Sequence, residues 1–154
     1  MTTCAYSRKS KTIAVDSRNT DDGGSTYQCD KIERLSDGRY FLGAGHLLTI
    51  GMTKDWAESN FRSDAKPAYS EVLSDAEEYG FSCLIVSKDG DRVFLVDNET
   101  HPVEVLDDFL AVGSGAQYAV GAMLAGADVV QAVEIAISKD GNSGGPVRSV
   151  RISP

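Results

Sequence analysis

The sequence has few of the residues that build metal centres or disulfide frameworks. It contains 2 histidines and 3 cysteines in 154 residues. Two histidines, His46 and His101, are too few for a histidine-rich metal centre. Cys4, Cys29 and Cys83 are widely spaced and form no CxxC pair, so we expect neither a zinc site nor a disulfide framework. We therefore expect no metal and no other cofactor, with the cysteines as small core residues.

Positive charge and long apolar runs are also scarce. The chain has 15 basic against 23 acidic residues, a formal net charge of −8, so binding to a phosphate backbone has no electrostatic support. No apolar stretch approaches the roughly 20 residues that span a bilayer, and the first residues lack a hydrophobic signal region. We therefore expect a cytoplasmic protein without nucleic-acid or membrane partners.

The remaining pattern predicts one α+β domain over residues 1–154. With 42% hydrophobic residues the chain can bury one core, and it contains neither an internal repeat nor a Gly/Ser linker. Strand-like runs are found at residues 3–7, 12–17, 27–35, 40–44, 81–87, 92–97, 109–112 and 146–152. Helical spacing is found at 46–60, 117–124 and 128–138, with at most a short helix around 70–79. Segregated antiparallel strands and helices predict a layered domain, and a two-sheet sandwich covered by helices fits this order.

Thr2 is the first residue with potential chemistry. Methionine before a small residue is normally trimmed, which would leave Thr2 with a free α-amino group. The ordinary pKa of such an amine is about 7.7–8.0, close enough to neutrality for it to accept the hydroxyl proton directly or through a water. From the terminus alone, an ordinary trimmed N-terminus is clearly the better explanation of this residue, so other residues must decide.

Several short motifs follow in a fixed order along nearly the whole chain. They are residues 2–3 (Thr-Thr), 12–16 (Thr-Ile-Ala-Val-Asp), 31–35 (Lys-Ile-Glu-Arg-Leu), 43–45 (Gly-Ala-Gly), 111–119 (Ala-Val-Gly-Ser-Gly-Ala-Gln-Tyr-Ala) and 139–145 (Lys-Asp-Gly-Asn-Ser-Gly-Gly). In this order and on these element types, the sequence resembles proteasome β-type and HslV peptidase subunits, which are N-terminal-nucleophile (Ntn) hydrolases. The resemblance implies a four-layer αββα sandwich of two antiparallel sheets flanked by helices. It also implies a threonine-type endopeptidase.

The resemblance implies a role for each matching residue. Thr2 would supply the nucleophilic hydroxyl, Lys31 a neighbouring positive charge, and Asp16 the carboxylate that holds the Lys31 ammonium. An outer hydrogen-bond network that orients the amine and a water would be formed by Ser114, Asp140 and Ser143. The backbone N–H of Gly43 would act as oxyanion donor, and Thr20 would contact the substrate backbone. The implied partners are a peptide or unfolded protein substrate, further copies in a homo-oligomeric ring, and a separate ATPase.

Simpler interpretations of these residues remain. Asp16 and Lys31 could be a surface ion pair, Ser114 a helix cap, and residues 140–145 an ordinary turn. These separate explanations do not predict the ordered set. The stretch between the first helix and Phe81 is too short for the long helical pair of the ring-forming relatives, which suggests a short, divergent member.

Two other functions compete with the threonine peptidase. Residues 142–146 resemble the nucleophile loop of trypsin-like serine proteases, and His46, Asp97 and Ser143 follow one another in the right order. That architecture needs further strands after the serine, and here a helical stretch precedes the motif. A non-catalytic ring subunit is the other alternative. Such subunits carry a helix before the first strand, whereas here a strand is expected directly after Met1.

Overall fold

A computed structural model describes residues 2–69, 80–98 and 101–152, and the short helix expected around 70–79 lies outside these ranges. The strands are β1 (Thr3–Ser7), β2 (Thr12–Val15), β3 (Arg18–Thr20), β4 (Thr26–Gln28), β5 (Ile32–Arg34), β6 (Tyr40–Gly45), β7 (Phe81–Val86), β8 (Val93–Asp97), β9 (Val103–Val105), β10 (Phe109–Gly113) and β11 (Arg148–Arg151). The helices are α1 (Leu47–Glu58), α2 (Ala116–Leu124) and α3 (Val129–Lys139), with a 3₁₀ turn at Ser63–Ala65. None of the helices in these ranges is long and apolar enough to cross a membrane.

The strands form two main sheets and one small hairpin. The first sheet has the order β10-β1-β2-β11 and the second the order β5-β6-β7-β8-β9, and every recorded pairing is antiparallel. Among the residues that the structure describes, the strands β3 and β4 pair only with each other. The first sheet therefore places β1, which directly follows the candidate nucleophile Thr2, in an interior position between β10 and β2.

Side-chain alternation on the strands explains why both sheets are buried on two faces. In β1, Cys4 and Tyr6 face the second sheet and pack with Leu42 and Leu84, while Ala5 faces the opposite way. The small side chain of Ala5 leaves room for α2 and α3, which pack there through residues such as Ala132. A third cluster joins Phe41, Cys83 and Ile85 of the second sheet to Trp56 of α1.

Most helix and strand boundaries lie close to the predicted ones, because local sequence features such as helix caps determine them. The carboxylate of Asp128 accepts a hydrogen bond from the Gln131 N–H, and the Gln131 side chain accepts one from the Asp128 N–H. This capping box fixes the start of α3 where the N-cap was predicted.

The single strand predicted over residues 27–35 is wrong. The structure divides it into β4 and β5, which belong to different sheets. The Cys29 N–H bonds to the Ser17 carbonyl, and the Asp30 carboxylate accepts from the Ile32 N–H, so the chain turns between the two strands. The short strands β3 and β9 were not predicted. Both have 3 residues, too few for an alternating pattern to be recognised.

Candidate active site

Thr2 lies directly before β1 and is almost fully buried, with 4% of its surface exposed. The next residue, Thr3, pairs with Gly113 at the end of β10. Gly113 has a φ of +99°, and a Cβ at this position would overlap the carbonyl of Thr2. Only glycine suits both this left-handed conformation and this close approach. The end of β10 thus determines where the backbone of Thr2 can lie.

The Lys31 ammonium binds the hydroxyl oxygen of Thr2. Lys31 Nζ donates to Thr2 Oγ1 at 2.9 Å, to Asp16 Oδ1 at 3.0 Å and to the Arg18 carbonyl at 2.7 Å. These acceptors match in number the three N–H bonds of an ammonium. A positive charge favours the deprotonated form of a neighbouring hydroxyl, so a contact of this kind can activate a hydroxyl as a nucleophile.

Asp16 is the centre of this group and is completely buried, while the Lys31 side chain is 7% exposed. Its Oδ1 also accepts from the Thr3 N–H at 3.1 Å, and its Oδ2 accepts from the Gly144 N–H at 3.0 Å. A buried carboxylate is tolerated only when charge and hydrogen bonds compensate its desolvation, and Asp16 has both. The surface ion pair considered from the sequence is therefore excluded by burial.

A second hydrogen-bonded group lies beside the first. Thr3 Oγ1 and Ser143 Oγ are 2.7 Å apart, and the hydroxyls of Ser143 and Ser114 each donate to Asp140 Oδ2 at 2.6 Å. Asp140 follows the last residue of α3 and its Oδ1 accepts from the Asn142 N–H at 3.1 Å. Burial of Asp140 opposes ionisation, but the hydrogen bonds from Ser114, Ser143 and Asn142 outweigh it and lower the pKa of Asp140 below its ordinary value.

The structure therefore joins six of the residues predicted from the sequence into two adjacent groups. Thr2, Asp16 and Lys31 form one, and Ser114, Asp140 and Ser143 form the other. Thr3 connects the two groups, because its N–H bonds to Asp16 and its hydroxyl contacts Ser143. Ser114 precedes α2, but its hydroxyl bonds to Asp140, and no side-chain cap is recorded at the start of that helix.

Gly43 and Thr20 are placed outside these groups. Gly43 lies inside β6, pairs with Cys83, and turns the side that would carry a Cβ towards Ile50 of α1. Thr20 ends β3, is exposed and pairs with Thr26. Within the described ranges neither residue has a recorded hydrogen bond to the Thr2 or Asp140 groups. Their roles as oxyanion donor and substrate contact stay predictions.

The geometry around Ser143 differs from that of a Ser-His-Asp triad. The hydrogen-bond partners described for Ser143 are Thr3 and Asp140. His46 precedes α1 and its Nδ1 lies 2.9 Å from Thr49 Oγ1. In a triad the serine hydroxyl would instead bond to the imidazole. The hydrogen bonds recorded for Ser143 therefore favour a supporting role.

Sequence reasoning missed several residues that hold the groups together. Thr3, Arg18 and Gly144 each bond directly to a residue of the two groups. Thr3 and Gly144 lie inside motifs already recognised, so motif membership was the available signal. Arg18 gave no such signal, since a lone arginine on a short strand is usually a solvated side chain.

Comparison with known proteins supports the fold. Among solved structures the chain is similar to eukaryotic HslV from Trypanosoma brucei, with a TM-score of 0.69 and 19% sequence identity over 96% of this chain and 97% of that chain. At this identity the likeness establishes a shared fold and not an activity. No protein-family model matches the sequence, and no curated protein matches it.

Proposed function

We propose that this chain is a threonine-type peptidase whose nucleophile is the hydroxyl of Thr2, exposed as the terminal residue once Met1 has been removed. One observation carries the proposal: Lys31 Nζ lies 2.9 Å from Thr2 Oγ1 while it is held by the buried Asp16. A lysine that served only to neutralise Asp16 would have no need to contact a hydroxyl at the start of a strand. The HslV-like fold supports the same activity.

In the proposed reaction, Thr2 Oγ1 attacks the carbonyl carbon of a peptide bond. Its proton passes to the α-amino group of Thr2, directly or through a water, and the Lys31 charge favours that transfer. The amine then returns the proton to the departing peptide amine as the C–N bond breaks. Water hydrolyses the resulting ester and regenerates the threonine. Because the base is the α-amine, removal of Met1 is required for activity.

The second group has a supporting role in this proposal. Asp140, with the hydroxyls of Ser114 and Ser143, would hold the terminal amine and a water in the orientation that the proton transfers need. The proposed site also includes the Gly43 N–H as oxyanion donor and Thr20 as a substrate contact. Both roles are proposed from the family resemblance alone.

We also propose that the chain forms one domain over residues 1–154, a four-layer αββα sandwich, and assembles into a closed homo-oligomeric ring. The three hydrophobic clusters support the four layers, since one lies between the sheets and the other two lie against α1 and against α2 and α3. Heterologous contacts between identical chains close into rings.

A separate ATPase would supply unfolded protein to such a ring. Light scattering tests the ring, and a stable monomer at micromolar concentration would reject it.

The test of the activity starts with the intact mass, which shows whether Met1 has been removed. Turnover of fluorogenic peptides is then compared for the wild type, Thr2→Ala and Thr2→Ser. We expect Thr2→Ala to be inactive with an unchanged fold, whereas Thr2→Ser, which keeps a hydroxyl, retains measurable turnover.

An electrophilic peptide that modifies hydroxyl nucleophiles locates the reacting residue by mass mapping. An adduct on Thr2 supports the proposal, and one on Ser143 would instead indicate the serine protease. Absence of both turnover and adduct in the trimmed protein would identify a non-catalytic subunit.

A further inference from the structure

Arg18 contacts both the Lys31 ammonium and the loop that holds Asp140 and Ser143. Its carbonyl accepts from Lys31 Nζ at 2.7 Å. Its side chain donates from Nη2 to the carbonyl of Gly141 at 2.6 Å, and its N–H donates to the carbonyl of Gly144 at 3.1 Å. One residue thus bonds to the Lys31 ammonium and, at two points, to the loop of residues 140–145.

The guanidinium also packs directly on Gly144. A Cβ built on Gly144 would lie 2.7 Å from Arg18 Cζ and 2.9 Å from Nε, closer than side-chain carbons normally approach. Gly144 is absent from the glycines with positive φ, and the three atoms nearest to such a Cβ all belong to the Arg18 guanidinium. Glycine at this position is explained by the guanidinium that lies on it.

The placement of Arg18 carries an energetic cost that a surface arginine would avoid. Its Nε is buried and has no hydrogen-bond partner among the described residues. An unsatisfied buried donor is destabilising, so burying this guanidinium is not explained by hydrogen bonding alone. The arrangement fixes the distance between β3 and the loop of residues 140–145. The Gly144 N–H of this loop also bonds to Asp16.

We propose that Arg18 is a positioning residue that clamps the 140–145 loop against β3 and so sets Asp140 and Ser143 relative to Thr2. The inference rests on the proposed function, because the expected change in kcat assumes that Thr2 is the nucleophile. Arg18 contacts none of the reacting atoms in the proposed reaction. Its side chain acts through Gly141 and Gly144, which flank Asn142 and Ser143 in the chain.

Arg18→Ala tests the clamp, with Arg8→Ala as the matched control. Arg8 donates from Nη2 to the carbonyl of Val105 at 2.6 Å, the same distance as the bond from Arg18 to Gly141, at the opposite end of β1 from Thr2. Loss of one charged hydrogen bond corresponds to about a tenfold change in rate, so we expect Arg18→Ala to lower kcat about tenfold or more with KM nearly unchanged. Arg8→Ala should lower the melting temperature and leave kcat near that of the wild type. Equal kcat values for the two variants would overturn the proposal.

A double-mutant cycle with Gly144→Ala tests the contact itself. In the wild-type background the new methyl group meets the guanidinium, so Gly144→Ala should displace the loop and lower kcat about tenfold. In the Arg18→Ala background the methyl group has room, and adding Gly144→Ala should change kcat less than about twofold. Losses that simply multiply in the double variant would show that the two residues act independently and would refute the clamp.

Amide hydrogen exchange keeps this test separate from that of the peptidase activity. The N–H groups of Ser17 and Arg18 both donate to the Gly144 carbonyl, at 3.0 Å and 3.1 Å. We expect both amides to exchange faster in Arg18→Ala and to keep wild-type exchange in Arg8→Ala. If the wild type shows no Thr2-dependent turnover, the proposed function fails while this measurement still decides the clamp. Unchanged exchange in Arg18→Ala would overturn it.

Discussion

Lys31→Met removes the charge next to Thr2 while keeping the length of the side chain. Two losses follow from the structure. The buried Asp16 loses its ionic partner, and breaking a buried pair on one side costs about 3–5 kcal/mol. At about 2–4 °C per kcal/mol for a chain of this size, the melting temperature should fall by roughly 10 °C. Turnover loses a preorganised charge at Thr2 Oγ1, which typically lowers kcat on the order of a hundredfold or more.

The assay must separate these losses, because a destabilised protein is also less active. Activity is therefore measured well below the melting temperature, and Lys31→Met is compared with the double variant Asp16→Asn plus Lys31→Met. The double variant leaves no unpaired buried charge, so it should recover part of the lost stability and none of the lost kcat. Lys31→Arg should restore little activity, because a planar guanidinium cannot reproduce the contacts of the ammonium with Thr2 and Asp16. If Lys31→Met kept most of the wild-type kcat, the fold would stand and the proposed active site would not.

Two further predictions concern the supporting residues. Gly113→Ala places a side chain on a residue with a φ of +99° and against the Thr2 carbonyl. We therefore expect the free energy of unfolding to fall by at least about 2 kcal/mol and turnover to be almost completely lost. Wild-type stability in urea unfolding would contradict this prediction. Asp140→Asn should lower stability at neutral pH by about 1 kcal/mol. Since the folded pKa of Asp140 is lowered, its contribution is present above the unfolded pKa and is lost as the pH falls through the folded one, so in melting curves the deficit should begin to shrink near about pH 4 and vanish only at still lower pH.

The site residues that could be predicted from the sequence lie at the ends of strands and helices, where short local motifs mark them. Asp16 follows directly after β2, and Asp140 and Ser143 lie in one short loop after α3. Such positions at element ends can be recognised in a linear sequence. The capping residue Asp128 was identifiable for the same reason, because an N-cap precedes its helix in the chain.

What the sequence could not predict depends on which elements meet in space. The contact between Thr3 and Ser143 joins residues 140 positions apart, and Arg18 meets Gly141 across 123. No periodicity encodes such contacts. The division of residues 27–35 into β4 and β5 also depends on a contact between two segments, since the Cys29 N–H donates to the Ser17 carbonyl and so does not take part in a continuous strand.

The buried Lys31–Asp16 pair is itself an argument for function over stability. A buried ion pair often contributes less stability than apolar residues of the same size, because desolvation offsets the attraction between the charges. Packing in the inter-sheet core nearby is provided by Cys4, Val15 and other apolar side chains, so the fold does not need a charge there. What an apolar replacement could not provide is a cation held within hydrogen-bonding distance of Thr2 Oγ1. The chain thus places a buried ion pair, which adds little stability, beside the hydroxyl of Thr2. This arrangement is expected of a catalytic site more than of a structural one.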